Sequence, residues 1–175
     1  MVMKNYREKL KHIKAFVFDY DGVLTNGNVY LTDSGMQLRQ GNVRDGYALQ
    51  LARKKGFHIA VITGSHDRGI EKRCHFLNIE QVFLGVSDKQ KVFLEYLETY
   101  NLKAEEILFM GDDLPDYLIM KMAGIPCCPA DACEEIKQVS EYISPLQGGK
   151  GCVRDVIEQV LKIKGMWMDD DAFHW

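Results

Sequence analysis

Ala15-Phe16-Val17-Phe18-Asp19-Tyr20-Asp21-Gly22-Val23-Leu24-Thr25 is the stretch that decides the fold. An apolar run of strand length, Phe16 to Phe18, drives into a pair of carboxylates spaced by one residue and then a glycine. A short continuous apolar run that stops at a turn signal fits a fully buried strand of a parallel sheet. In open α/β sheets, ligands bind beyond the carboxyl ends of the strands, so Asp19 and Asp21 stand where a site is expected. Residues i and i+2 of an extended segment point the same way. Carboxylates that close repel unless a cation or a proton sits between them, and a set made only of carboxylates favours a hard ion such as Mg²⁺. The plainer alternative is an Asp-Gly turn that merely ends a strand.

The rest of the chain bounds what such a site serves. At 175 residues, with 46% hydrophobic residues and a formal charge of −3, the chain reads as a single globular domain over 1–175. No stretch reaches the roughly 18 apolar residues of a membrane span, and Met1 to Lys14 lacks the apolar core of a secretory signal. Mild acidity without a basic stripe argues against nucleic acid as a partner. The 5 cysteines, an odd number, point to a reducing compartment, the cytoplasm. Cys127, Cys128 and Cys133 lack zinc-site spacing and a His pair, which leaves buried apolar thiols as the better reading.

Outward from Asp21, Asn28–Thr32 and Met36–Gln40 flank Asp33-Ser34-Gly35 as a hairpin. A helix through Tyr47, Ala48, Leu51 and Ala52 stops at Gly56, and Phe57–Thr63 is the second buried strand. Then come a helix through Ile70, Cys74 and Leu77, a strand at Gln81–Leu84, a helix at Asp88–Tyr100 and a strand at Glu106–Met110. A helix from Tyr117 to Ala123, a strand at Ile125–Cys128, a helix at Glu134–Val139, an edge pairing at Tyr142-Ile143 and a helix at Val153–Lys164 complete the pattern. Such alternation means a doubly wound, mostly parallel α/β sheet with helices on both faces. The tail Met166–Trp175 has no helical pattern but carries both tryptophans of the chain, too much aromatic surface to leave in water.

A parallel sheet gathers Asp19/Asp21, Thr63-Gly64 and Asp112/Asp113 at one rim, with Lys89 within reach at the start of a helix. Each signal alone is weak: a turn threonine, a solvated lysine, a cap. Together, in order on successive strand ends, they suit metal-assisted phosphoryl transfer.

The motifs Asp19-x-Asp21-Gly22-Val23, Thr63-Gly64, Lys89 and Gly111-Asp112-Asp113-x-x-Asp116 resemble those of the haloacid dehalogenase superfamily. The resemblance implies that Asp19 attacks phosphorus, and that Asp21 protonates the leaving oxygen and then activates water. It implies Mg²⁺ held by Asp19, Asp21 (through its carbonyl) and Asp112, with Asp113 and Asp116 supporting, and phosphoryl oxygens held by Thr63 and Lys89. The gaps between Asp19, Thr63 and Lys89 are too short for the extra domain that covers the site in most relatives. Either the substrate is macromolecular, or neighbouring subunits supply the lid.

Asn42-Val43-Arg44-Asp45-Gly46-Tyr47, Arg73-Cys74, Gly111–Asp116 and Gly148-Gly149-Lys150-Gly151 resemble the capless branch that dephosphorylates eight-carbon sugar-acid phosphates for lipopolysaccharide. That likeness implies a homotetramer in which hairpins and tails close neighbouring sites. It also implies substrate contacts from Asp21, Asn42, Val43, Arg44, Asp45, Gly46, Gly64, Arg73 and Lys89. Arg44 and Arg73 suit a carboxylate, or else are surface ion-pair residues. Many members of the branch carry Arg after the Thr-Gly pair, where this chain has Ser65. The rival readings are a nine-carbon ulosonate 9-phosphate phosphatase, a signalling receiver domain, and a non-catalytic subunit.

Overall fold

A computed structural model of the chain describes residues 2–174. Helix α1 (Val2–Leu10) leads into β1 (Ala15–Phe18). A hairpin of β2 (Tyr30–Leu31) and β3 (Gln37–Leu38), then α2 (Val43–Lys54), precede β4 (His58–Ile62). There follow α3 (Arg68–Phe76), β5 (Gln81–Phe83), α4 (Lys89–Thr99), β6 (Ile107–Met110) and α5 (Tyr117–Met120). The chain closes with β7 (Ile125–Cys128), α6 (Glu134–Val139), β8 (Tyr142–Ile143) and α7 (Cys152–Ile163). The main sheet has 6 strands in the order β5-β4-β1-β6-β7-β8, and every neighbouring pair in it is parallel.

Strand periodicity divides the core in two. On β1, Phe16 and Phe18 join the cluster made with α2, α3 and α7, while Ala15 and Val17 join α4, α5 and α6 on the other face. Ile59/Val61 and Ala60/Ile62 of β4 divide in the same way, as do Leu108/Met110 and Ile107/Phe109 of β6. Each of these side chains larger than alanine contributes about 1.5–3 kcal/mol by leaving water. Burial on both faces therefore explains the unbroken apolar runs. On α7, Val153, Val156, Ile157, Val160 and Leu161 are all buried, the stripe expected from helical spacing.

The structure departs from the sequence reading at three places. Helix α1 was not anticipated; Tyr6 stacks on Tyr142 at 5.3 Å and donates to Gln159, and Leu10 is buried. The hairpin strands are only two residues each, with all four exposed, because no core layer covers them. Helix α5 is a single turn beginning at Tyr117, preceded by the 3₁₀ turn Leu114–Asp116.

The first part of the tail packs on its own chain. Trp167 is buried over the Arg154 guanidinium at 5.0 Å, Lys55 pairs with Asp169 and Asp171, and the Tyr47 hydroxyl donates to the Ala172 carbonyl. This docking buries Trp167 within the subunit, while Phe173 stays 66% exposed. Trp175 lies outside the described residues.

Candidate active site

The chain leaves β1 toward β4 and β5, then crosses to β6 on the other side of β1. The direction of travel reverses between β1 and β6, and at such a point a crevice opens beyond the strand ends. Phe18 and Met110 are partners in register, so Asp19 and the Gly111-Asp112 turn emerge side by side. Gly22 has φ +88°, and a Cβ there would lie 2.0 Å from Asp112 Oδ2. Only glycine lets the loop after β1 turn over this carboxylate.

Asp19, Asp112 and Asp116 come together, with one oxygen of each lying within 4.8 Å of the others. Lys89, at the start of α4, sends Nζ to Asp19 Oδ1 at 2.7 Å and Asp116 Oδ1 at 2.8 Å. Asp116 Oδ2 accepts from the Asp112 backbone N–H at 3.1 Å, which ties the β6 turn to the cluster. Burial, then Asp116, pushes Asp19 up to about 6 against the pull of Lys89. Burial, then Asp19 and Asp116, pushes Asp112 up to about 8. Burial opposes the charge on Lys89, but the two carboxylates outweigh it and hold its pKa above the ordinary lysine value. Acids packed this tightly are short of positive charge, and Lys89 supplies only part of it. An oxygen-only donor set of this kind fits a hard divalent cation.

Thr63 is buried at the end of β4, where its Oγ1 accepts from the Ser65 backbone N–H at 3.2 Å. Gly64 is exposed and lines, with Asp21, Arg39, Ser65, His66 and Asp67, a cavity of about 690 Å³. Arg39, just beyond β3, reaches Asp21 Oδ1 and Asp67 Oδ2, both at 2.8 Å. A second cavity of about 440 Å³ shares Arg39 and Asp67 and adds Tyr20 and Arg73. A groove thus runs from Asp21 and Gly64 along α3, past the guanidinium groups of Arg39 and Arg73. Arg73 lies against Gly46, where a Cβ would come within 2.9 Å of its Nη2. Gly46 makes room for the arginine.

The remaining expected contacts lie elsewhere. Asn42 caps α2, accepting from Arg44 and Asp45, and donates to the Gly149 carbonyl at 3.1 Å. Val43 and Arg44 are exposed, and Arg44 borders α7 beside Lys150 and Arg154. Asp45 is buried and accepts from the Arg154 backbone N–H at 2.7 Å, so it caps α7. Asp113 is exposed and accepts from the Leu114 backbone N–H; it does not join the acids. Arg39 was missed by sequence reasoning. Its only signal is alternation with Gln37 on one side of a short strand, which no motif marks.

Carboxylates at the ends of β1 and β6, a buried lysine between them and a Thr-Gly turn on β4 define a phosphohydrolase of the haloacid dehalogenase type. The chain belongs to the haloacid dehalogenase-like hydrolase family, whose model matches residues 35–124. It is 34% identical over 157 residues to the 3-deoxy-D-manno-octulosonate 8-phosphate phosphatase of Escherichia coli (strain K12), covering 90% of this chain and 84% of that protein. The crystal structure of the same-named phosphatase from Yersinia pestis aligns with a TM-score of 0.91 and 30% identity, over 93% of this chain and 88% of that one. The one from Moraxella catarrhalis, solved with magnesium, phosphate and KDO, aligns with a TM-score of 0.89 and 32% identity, over 92% of both chains.

Proposed function

We propose that this chain is a Mg²⁺-dependent phosphatase that removes phosphate from 3-deoxy-D-manno-octulosonate 8-phosphate, in lipopolysaccharide sugar synthesis. The observation that carries the reading is the cluster of Asp19, Asp112 and Asp116 held by Lys89, with Asp21, two residues after Asp19, lining a groove edged by Arg39. Likeness to phosphatases of this name supports the choice of substrate.

The phosphoryl group enters between Asp19 and the Thr63-Gly64 turn. Lys89 holds Asp19 Oδ1, which turns Oδ2 toward phosphorus. As the Asp19 oxygen bonds to phosphorus, the bond to the sugar oxygen breaks and Asp21 gives that oxygen its proton. Asp21 then takes a proton from water, whose oxygen displaces Asp19 and releases phosphate. Thr63 and Lys89 steady the charge on the phosphoryl oxygens. Mg²⁺, held by Asp19, Asp112 and the Asp21 carbonyl with Asp116 behind them, would supply Lewis-acid neutralisation of that charge. Arg73 meets the sugar carboxylate.

The exposed apolar hairpin, with Tyr30 61% and Leu31 75% accessible, supports a homo-oligomer, which we take to be a tetramer. The cysteines stand as free thiols, in keeping with the cytoplasm. Phosphate release from a panel of sugar-acid phosphates, including a nine-carbon ulosonate 9-phosphate, with and without Mg²⁺, tests the reading. We expect Mg²⁺-dependent turnover fastest on the eight-carbon ester. Preference for the nine-carbon ester would overturn the substrate, and no Mg²⁺-dependent release from any ester would overturn the activity.

A further inference from the structure

We propose that Arg39 is a positioning residue for Asp21: it fixes which carboxylate oxygen faces the substrate and locks the hairpin to the phosphate-binding turn. The proposal rests on the reading of Asp21 as the proton carrier.

Arg39 has a side chain only 9% exposed, although it sits on a hairpin that joins no strand of the main sheet. Its guanidinium is used on every side. Nε donates to Asp21 Oδ1 at 2.8 Å and Nη1 to Asp67 Oδ2 at 2.8 Å. Nη2 donates to Gln37 Oε1 at 3.2 Å and to Ser65 Oγ at 3.3 Å. Asp21 Oδ1 also accepts from Thr25 Oγ1 at 3.2 Å. Oδ1 is therefore held by two donors, and Oδ2 is the oxygen left to carry a proton to the ester oxygen. A planar fork bridging two carboxylates is a geometry that arginine forms and lysine does not.

The same contacts argue that Arg39 is not the reader of the sugar carboxylate. Its charge is already met by Asp21 and Asp67, and a third carboxylate would have to break one of those pairs. Arg73 pairs with no carboxylate among the described residues and has only the Phe76 ring at 5.6 Å. Arg68, which lines the other cavity, likewise makes no ion pair among the described residues, but only Arg73 stands beside Tyr20 and Gly46. Asp67 is tied in from below, since its Oδ1 caps α3 through the Gly69 backbone N–H at 2.7 Å. Arg39 thus rests on a fixed post, and Asp21 rests on Arg39.

A misplaced proton carrier has a kinetic signature. Loss of general acid help lowers turnover about 10²–10⁴-fold when the leaving group is a poor one. It matters little when the leaving oxygen needs no proton, as in p-nitrophenyl phosphate. The experiment measures kcat and KM of Arg39→Gln, Arg39→Lys and Asp67→Asn on 3-deoxy-D-manno-octulosonate 8-phosphate and on p-nitrophenyl phosphate, with Asp21→Asn as reference. We expect Arg39→Gln to lose about 10–100-fold in kcat on the sugar ester, with KM within about threefold and a much smaller loss on the aryl ester. Arg39→Lys should recover part of the loss. Asp67→Asn, which keeps the α3 cap, should show the same pattern more weakly.

A rise in KM on the sugar ester with kcat preserved would make Arg39 a carboxylate contact and overturn the proposal. Equal losses on both esters, or none, would overturn it too. If Asp21→Asn itself leaves sugar-ester turnover intact, the proton-carrier reading fails and the proposal falls with it. If Asp21→Asn abolishes that turnover while Arg39→Gln does not, only the proposal fails.

Discussion

Lys89 and Asp19 form a buried ion pair, Nζ 2.7 Å from Oδ1, at the point where β1 ends. The same ammonium reaches Asp116, so one cation stands between two carboxylates that would otherwise face each other in a dry crevice. Removing one partner of a buried pair costs more than the pair itself contributes, because a charge is left unpaired.

Lys89→Met should therefore destabilise the fold by about 3–5 kcal/mol, toward the lower end because Asp19 already holds a proton readily. It should also lower turnover by at least about 10²-fold through loss of charge stabilisation. Urea denaturation and phosphate release measure the two effects separately.

Gly22→Ala should disturb the metal site more than the core. The left-handed φ costs an alanine about 1–2 kcal/mol, and its Cβ would overlap Asp112 Oδ2. Displacing that carboxylate should weaken Mg²⁺ binding about 10–100-fold, read by titration calorimetry, while the circular dichroism of the fold persists.

Asp45 gives a pH dependence with an unusual sign. Burial pushes its carboxyl up to about 6, against the pull of the Arg154 backbone N–H. Between about pH 4 and pH 6 the unfolded chain loses this proton while the native chain keeps it, so native stability falls as pH rises. Above that window the loss is complete and flat. The stability difference between the natural chain and Asp45→Asn should shift by about 2–3 kcal/mol against the natural chain across it, at 1.36 kcal/mol per pKa unit. Urea denaturation of both proteins at several pH values checks this.

Trp167→Ala should cost about 3 kcal/mol, at the low end for a buried tryptophan, because the indole is covered by Arg154 of the same chain. Turnover per folded molecule should stay within about twofold, since ordinary surface and tail changes leave distant chemistry alone. A large loss of kcat with stability intact would instead favour the tail as a lid over a neighbour's site.

Much of this was readable from residues alone. Phe16–Phe18 running into Asp19 fixed the first strand, and Asp112 and Lys89 fell into the same crevice because parallel strands end at one rim. Long-range partnerships were not readable. Asp45 sits in a stretch that resembles a substrate loop, yet its carboxyl caps α7, more than a hundred residues away in the chain. Arg39 looked like any hairpin arginine until the fold brought Asp21 and Asp67 beside it. Helix α1 escaped notice because its apolar contacts, Tyr6 and Leu10, are few and gain meaning only against β8 and α7. Alternation and helical spacing report burial; they do not report which distant polar group a side chain will meet.

The central claim is that Asp19 takes the phosphoryl group. Its most direct test is mass spectrometry of acid-quenched Asp21→Asn enzyme mixed with Mg²⁺ and p-nitrophenyl phosphate, whose leaving oxygen needs no proton, so that the variant should form the phosphoenzyme faster than it clears it. The account expects one added phosphoryl group on the peptide that contains Asp19, and none when Asp19→Asn is introduced as well. A phosphoryl group on any other residue, or natural-rate phosphate release from Asp19→Asn alone, would contradict it.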